Sequence, residues 1–98
     1  MSKIYKVFMS RWTEAWHVLS QAEKDALLKR VGHALEQVGG KGVLYANSFW
    51  ATEQYHFFGV EEFPNIEAAQ KHGELLQEIN WERYVDTTST LGTELLPE

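Results

Sequence analysis

The stretch VEEFPNIEAAQKHGELLQEI, Val60–Ile79, runs from the end of a strand through a turn into a helix that carries one histidine. Pro64 and Asn65 supply the turn. Asn65 is placed as an N-cap, its side chain accepting a hydrogen bond from a first-turn N–H, and Ile66–Ile79 forms the helix body. His72 lies near the middle of the apolar arc of this helix, beside Ala69 and Leu76, so its ring is expected to face a sheet and not water. Burial disfavours the imidazolium and lowers its pKa unless a carboxylate stands close. A neutral imidazole in that place is either a packed core residue or a pocket-lining base or ligand.

The flanking sequence completes the pattern. Ile4–Trp12, IYKVFMSRW, is rich in β-branched and aromatic residues and reads as strand one. Thr13–Leu19 is a connector with room for a turn of helix. Ser20 followed by Glu23 forms a capping box, and Gly39-Gly40 ends the helix that begins there. Leu27, Leu28, Val31, Ala34, Leu35 and Val38 share one face of that helix, while Gln21, Asp25, Lys29 and His33 lie opposite, in solvent. Lys41–Trp50 reads as strand two, 51–54 as a short connection, and Tyr55–Phe63 as strand three, giving a hairpin. Glu82–Gly92 reads as strand four. The order β-α-β-β-α-β predicts an α+β, ferredoxin-like fold over residues 1–98: a four-stranded antiparallel sheet with both helices on one face. At 98 residues the chain holds one domain, since two separate cores would not fit.

The strands are apolar on both faces. Strand three contains Phe57-Phe58-Gly59-Val60, and strand two sets Val43, Tyr45 and Phe49 against Leu44, Ala46 and Trp50. Two helices cover one side of a sheet only, so the second side calls for another copy of the chain. A homodimer through the open sheet face, forming a dimeric α+β barrel, is the expectation.

Composition narrows the function classes. Net charge is -5, and no basic run exceeds the pair Lys29-Arg30, so nucleic acid is not an expected partner. With no cysteine, disulfides, thiolate catalysis and Cys-ligated metals are excluded. No apolar run reaches membrane-spanning length and no leader pattern opens the chain, so no membrane partner is expected and a cytoplasmic location follows by default. G-x-G-x-x-G and P-loop motifs are absent, as are the H-E-x-x-H, H-x-x-E-H and H-x-H patterns, so no cofactor or metal is expected.

The element order, together with the aromatic strand end, turn and histidine-bearing helix of VEEFPNIEAAQKHGELL, resembles the dimeric α+β barrel superfamily, which includes antibiotic-biosynthesis-monooxygenase-like and stress-responsive barrel proteins. The chain is more closely similar to small uncharacterised bacterial proteins of that fold. Their W-x-x-L-S before the first helix is matched by WHVLS (Trp16–Ser20), and their aromatic cluster ending in glycine by WERYVDTTSTLG (Trp81–Gly92). This resemblance implies the fold but no single chemistry, because the superfamily holds oxygenases, isomerases, haem-degrading enzymes and proteins without assigned activity. The haem-degrading members use an Asn, a Trp and a helix-borne His. His72 matches the last, but Phe63 stands at the Trp position, and strand one has no Asn; Asn47 lies on another strand.

The remaining site candidates are aromatic or polar residues at strand ends. Trp12, Trp16, Trp50 and Trp81 would either rim a pocket or pack an interface. His56 and Glu62 share a strand face but stand six positions, on the order of 20 Å, apart. His17 sits in the connector, where a solvated ring is the plainer reading. Tyr84 and Asp86 share a face of strand four, and Arg11 is a further polar strand residue, suited to guarding a sheet edge. His72 is thus the catalytic candidate, with Trp12, Trp16, Asn47, Trp50, His56 and Tyr84 as ligand-binding candidates. Two functions are expected from this set: a cofactor-independent oxygenase or isomerase acting on a small planar or aromatic molecule, or a non-catalytic dimer that binds a small ligand or serves in stress response.

Overall fold

The structure, a computed structural model, describes residues 2–52 and 54–96. Its elements are β1 (Ile4–Trp12), a single helical turn α1 (Glu14–His17), α2 (Gln21–Gln37), β2 (Lys41–Asn47), β3 (Phe57–Phe63), α3 (Ile66–Glu78), a 3-10 turn (Trp81–Arg83) and β4 (Val85–Gly92). The strands lie in the order β2-β3-β1-β4, and each neighbouring pair is antiparallel. This is the ferredoxin-like α+β arrangement that the element order predicts.

Local chemistry sets the helix ends as the sequence indicates. The Ser20 hydroxyl accepts from the Glu23 N–H at 3.1 Å, and Glu23 in turn accepts from the Ser20 N–H at 2.8 Å. Gly39 takes the left-handed conformation beyond α2, with φ of 76°. Asn65 caps α3 through the Ala68 N–H at 2.8 Å. Asn80, with φ of 57°, turns the chain out of α3 and into the 3-10 turn.

Three strand boundaries differ from the sequence reading. β2 ends at Asn47, not Trp50, because the Asn47 side chain turns back to accept from the Phe49 N–H at 3.0 Å, while Ser48 Oγ donates to the Tyr55 carbonyl at 3.0 Å. Such side-chain bonds to local backbone compete with ladder pairing. β3 therefore begins at Phe57, which leaves His56 outside it. β4 begins at Val85, because Trp81–Arg83 coil into the 3-10 turn and keep Tyr84 off the strand.

The register decides what each face presents. On the helix side, cross-strand rows run Leu91–Lys6–Glu61–Gly42, then Ser89–Phe8–Gly59–Tyr45, then Thr87–Ser10–Phe57–Asn47, and finally Val85–Trp12. A register shift between Gly42 and Leu44 makes Val43 a bulge. That extra residue reverses the alternation in β2, so Tyr45 faces the helices while Leu44 and Ala46 join the open face. Val7, Met9 and Leu44 are exposed on that open face, beside half-buried Phe58 and Val60.

Little apolar bulk fills the space beneath the helices. Among the described residues only Trp16, Leu27, Ala34, Phe63 and Val85 are fully buried apolar side chains. Gly59 lets two rings close over the sheet. A Cβ there would lie 2.7 Å from Phe8 Cζ, 2.8 Å from Tyr45 Cδ1 and 2.9 Å from the Leu44 carbonyl oxygen. The carbonyl is backbone and cannot step aside, so Gly59→Ala is expected to cost about 1–3 kcal/mol in urea unfolding, the usual range for overpacking.

Candidate functional site

Between the sheet and the two long helices lies a partly open cavity of about 780 Å³. Its floor is the four cross-strand rows, and its roof includes Leu28, Val31, Gly32 and Leu35 of α2 with His72 and Leu76 of α3. Gly32 is the unexpected residue in that roof. It stands mid-helix, where glycine costs roughly 1 kcal/mol relative to alanine, and a Cβ at this position would meet nothing within 4 Å. The volume falls within the range of small-molecule and cofactor sites.

The two ends of the cavity differ in chemistry. One end is aromatic. Trp12 stacks on Trp16 with ring centroids 3.9 Å apart, Phe57 lies 4.7 Å from Trp12, and Trp81 stands edge-on to Trp12 at 6.0 Å and to Trp16 at 6.5 Å. Thr13 ties this cluster together, its N–H bonded to the Tyr84 carbonyl at 3.0 Å and its hydroxyl to the Arg83 carbonyl at 2.7 Å. The middle of the floor holds a hydroxyl pair, Ser10 and Thr87, 2.8 Å apart. The far end is polar and carries Lys6, Tyr45 and Glu61. Glu61 is only 8% exposed, and it accepts the Tyr45 hydroxyl at 2.8 Å. Burial, reinforced by that carboxylate, pushes the Tyr45 phenol well above its usual pKa, so it stays protonated and donates.

His72 is 2% exposed, with its ring 5.1 Å from that of Phe63. Neither ring nitrogen has a hydrogen-bond partner, and neither presents surface to the cavity. The residue nevertheless lines the cavity. Burial, with a smaller contribution from the Lys6 charge, lowers its pKa to about 4. It is therefore neutral across the physiological range.

The other sequence candidates scatter. Trp12 lines the cavity and Trp16 backs it. Tyr84 is half-buried behind the tryptophan cluster. Asn47 is spent on its turn, and Trp50 projects into solvent at 84% exposure. His56 lies against Phe49, with ring centroids 4.5 Å apart, and its Nδ1 accepts the Trp12 N–H at 3.0 Å. Beyond the start of β3 this ring replaces the missing ladder partner of β1, and the His56 N–H returns a bond to the Ser10 carbonyl at 2.8 Å. Burial, then the charges of Arg11 and His17, lowers the His56 pKa. Sequence reasoning passed over Glu61, Tyr45 and Lys6. The signal for Glu61 was its alternation with Phe57, Gly59 and Phe63, which puts a charge in an inward row. Tyr45 depends on the bulge at Val43, which has no mark in the sequence.

Among the described residues, no three His, Asp or Glu side chains gather as a metal site, and no helix is long and apolar enough to cross a membrane.

The fold is a ferredoxin-like α+β fold that also occurs in chlorite dismutases. A point variant of chlorite dismutase from Candidatus Nitrospira defluvii superposes with a TM-score of 0.76 at 18% identity, covering 95% of this chain and 40% of that one. A haem-binding protein from Thermus thermophilus does so at 0.74 and 14%, covering 94% and 40%. A Rhodopseudomonas palustris protein of unknown function, at 0.70 and 18%, is covered over 85% of its length and covers 98% of this chain. The chain thus spans about 40% of the chlorite dismutase that it matches. By sequence, it belongs to DUF6616, a family of unknown function, with residues 5–98 matched. No curated protein matches it in sequence.

His72 makes a sharp prediction about acid stability. Its ordinary pKa is 6.5 and its folded pKa about 4, so between those values the unfolded chain binds more protons. The His72 contribution is complete above pH 6.5 and falls away as the pH drops toward 4, by up to about 3 kcal/mol. His72→Leu, similar in volume and without nitrogens to bury, is expected to flatten this slope in urea melts from pH 4 to 8. It should be at least as stable as the parent at pH 7.

Proposed function

We propose that the chain is a binding protein for a planar, largely apolar small molecule, working as a homodimer paired through its open sheet face. One observation carries the first part: a cavity of about 780 Å³ occupies the place of a hydrophobic core, under a helix that carries glycine where a larger residue would fit. The aromatic end, with Trp12, Phe57 and Trp81, suits a flat ring. Apolar Val7, Met9 and Leu44, exposed on the opposite face, support the second part.

Binding is favoured here over the cofactor-independent oxygenase or isomerase chemistry that the monooxygenase-like resemblance implies. That chemistry needs His72 as a general base close to the substrate, with a pKa near the working pH. At about 4, and with both nitrogens covered, His72 is a weak base out of reach. Haem, the ligand of the Thermus thermophilus protein, also fits poorly. A metal-ligating histidine presents one nitrogen to the metal and donates from the other to an acceptor. His72 does neither, so it serves as packing and not as an iron ligand.

The cavity reading is tested with Gly32→Leu. The added side chain fills the roof and removes a helix glycine, so the variant is expected to gain roughly 1 kcal/mol or more in stability. It should also lose saturable quenching of tryptophan fluorescence by 2-methoxynaphthalene, together with the rise in Tm that this probe gives the parent. Unchanged probe binding in a stabilised variant would place the ligand elsewhere. The dimer is tested by light scattering. Two 11.3 kDa chains should elute together at micromolar concentration, and Val7→Asp or Leu44→Asp should yield a folded single chain.

A further inference from the structure

We infer that Glu61 is the specificity determinant of the cavity: it accepts a hydrogen bond from an uncharged donor on the ligand, so the preferred ligand is a neutral phenol or N–H heteroaromatic compound. This rests on the cavity being the binding site.

The supply of hydrogen bonds at the polar end leads to this inference. An ionised carboxylate offers about four acceptor positions and no donor. Among the described residues, Glu61 receives one side-chain hydrogen bond, from Tyr45 at 2.8 Å, although it is 8% exposed. Lys6, its cross-strand neighbour, closes no ion pair with it. Neither Glu61 oxygen is among the buried atoms left without a partner, so its spare acceptor capacity faces the partly open cavity. The nearby polar groups do not supply a donor. The Ser10 and Thr87 hydroxyls are bonded to each other, and the His72 nitrogens are buried without a partner. A ligand entering the cavity can supply a further donor to Glu61.

The charges decide what kind of donor it is. Lys6 shares the helix side of the sheet with Glu61 and opposes an incoming ammonium or amidinium. Glu61 itself opposes a carboxylate or sulfonate. A neutral O–H or N–H meets neither repulsion, and a hydrogen bond to a charged acceptor is stronger than one between neutral groups. The adjoining row favours an aromatic carrier. Phe8 and Tyr45 close over Gly59 with ring centroids 6.2 Å apart, forming an aromatic surface one row from Glu61. A flat ring resting on the Phe8–Tyr45 pair would lie one row from the carboxylate.

The test compares 2-naphthol with 2-methoxynaphthalene, 2-naphthoate and 2-naphthylmethylammonium at pH 7, each read by quenching of tryptophan fluorescence. 2-Naphthol should bind about tenfold tighter than its methyl ether, the step expected for one hydrogen bond to a charged group. Both ionic probes should bind more weakly than 2-naphthol. Glu61→Leu, shown by its thermal melt to be folded, should erase the preference for 2-naphthol while still binding the ether; Tyr45→Phe should keep it. Equal affinities for 2-naphthol and the ether in the parent protein would overturn the role of Glu61 and leave the cavity as the site. So would tightest binding of either ionic probe. Failure of all four probes would overturn the cavity reading, and this inference with it.

Discussion

The two long helices stand off the sheet, and the rest of the molecule follows from that gap. Phe63 packs against His72 near the polar end, and Val85 closes the row beside Trp12 at the other. Between these supports the layer holds space in place of side chains. A ferredoxin-like sheet normally buries one face against its helices to stabilise the fold. Here that face carries Lys6, Ser10, Glu61 and Thr87 among its aromatics, and the helix above it carries Gly32. Filling the gap would add stability, and this is the physical basis of the binding proposal.

The two ends of the gap divide the work. Trp12, Trp16 and Trp81 form a rigid aromatic wall, held by the bonds of Thr13 to the 3-10 turn. Glu61 and Tyr45 form a polar end whose geometry depends on the bulge at Val43. His72 and His56 show how little a residue type alone implies. His72 is sealed away without a polar partner, whereas the ring of His56 takes the place of a strand residue and holds the end of β1.

The same fold occurs in chains of different length and chemistry, from chlorite dismutase to a Rhodopseudomonas palustris protein of unknown function. At 18% identity or less the likeness concerns backbone alone. The side chains around the cavity therefore have to be read from this chain itself. The open face of the sheet poses a separate physical problem. Its exposed Val7 and Met9 on β1 and Leu44 on β2 flank Val60 and Phe58 of the intervening β3, and only contact with another surface removes them from water.

The sequence alone determined the order of elements, because capping and turn chemistry are local. Ser20 with Glu23, Gly39, and Asn65 after Pro64 each fix a boundary through bonds within a few residues. It also determined that His72 faces inward and that apolar residues reach the open face of the sheet, since a period of 3.6 or 2 assigns each residue to a side. It did not determine that the helix-side face carries Lys6, Ser10, Glu61 and Thr87. Tertiary structure alone decided whether inward-facing groups meet. The Tyr45–Glu61 bond joins strands through a one-residue register shift, the Trp12–His56 bond spans 44 positions, and the sealed nitrogens of His72 follow from its packing against Phe63. Such contacts depend on how far a helix stands from a sheet, a distance set by the packing of the whole layer and by no single stretch of chain.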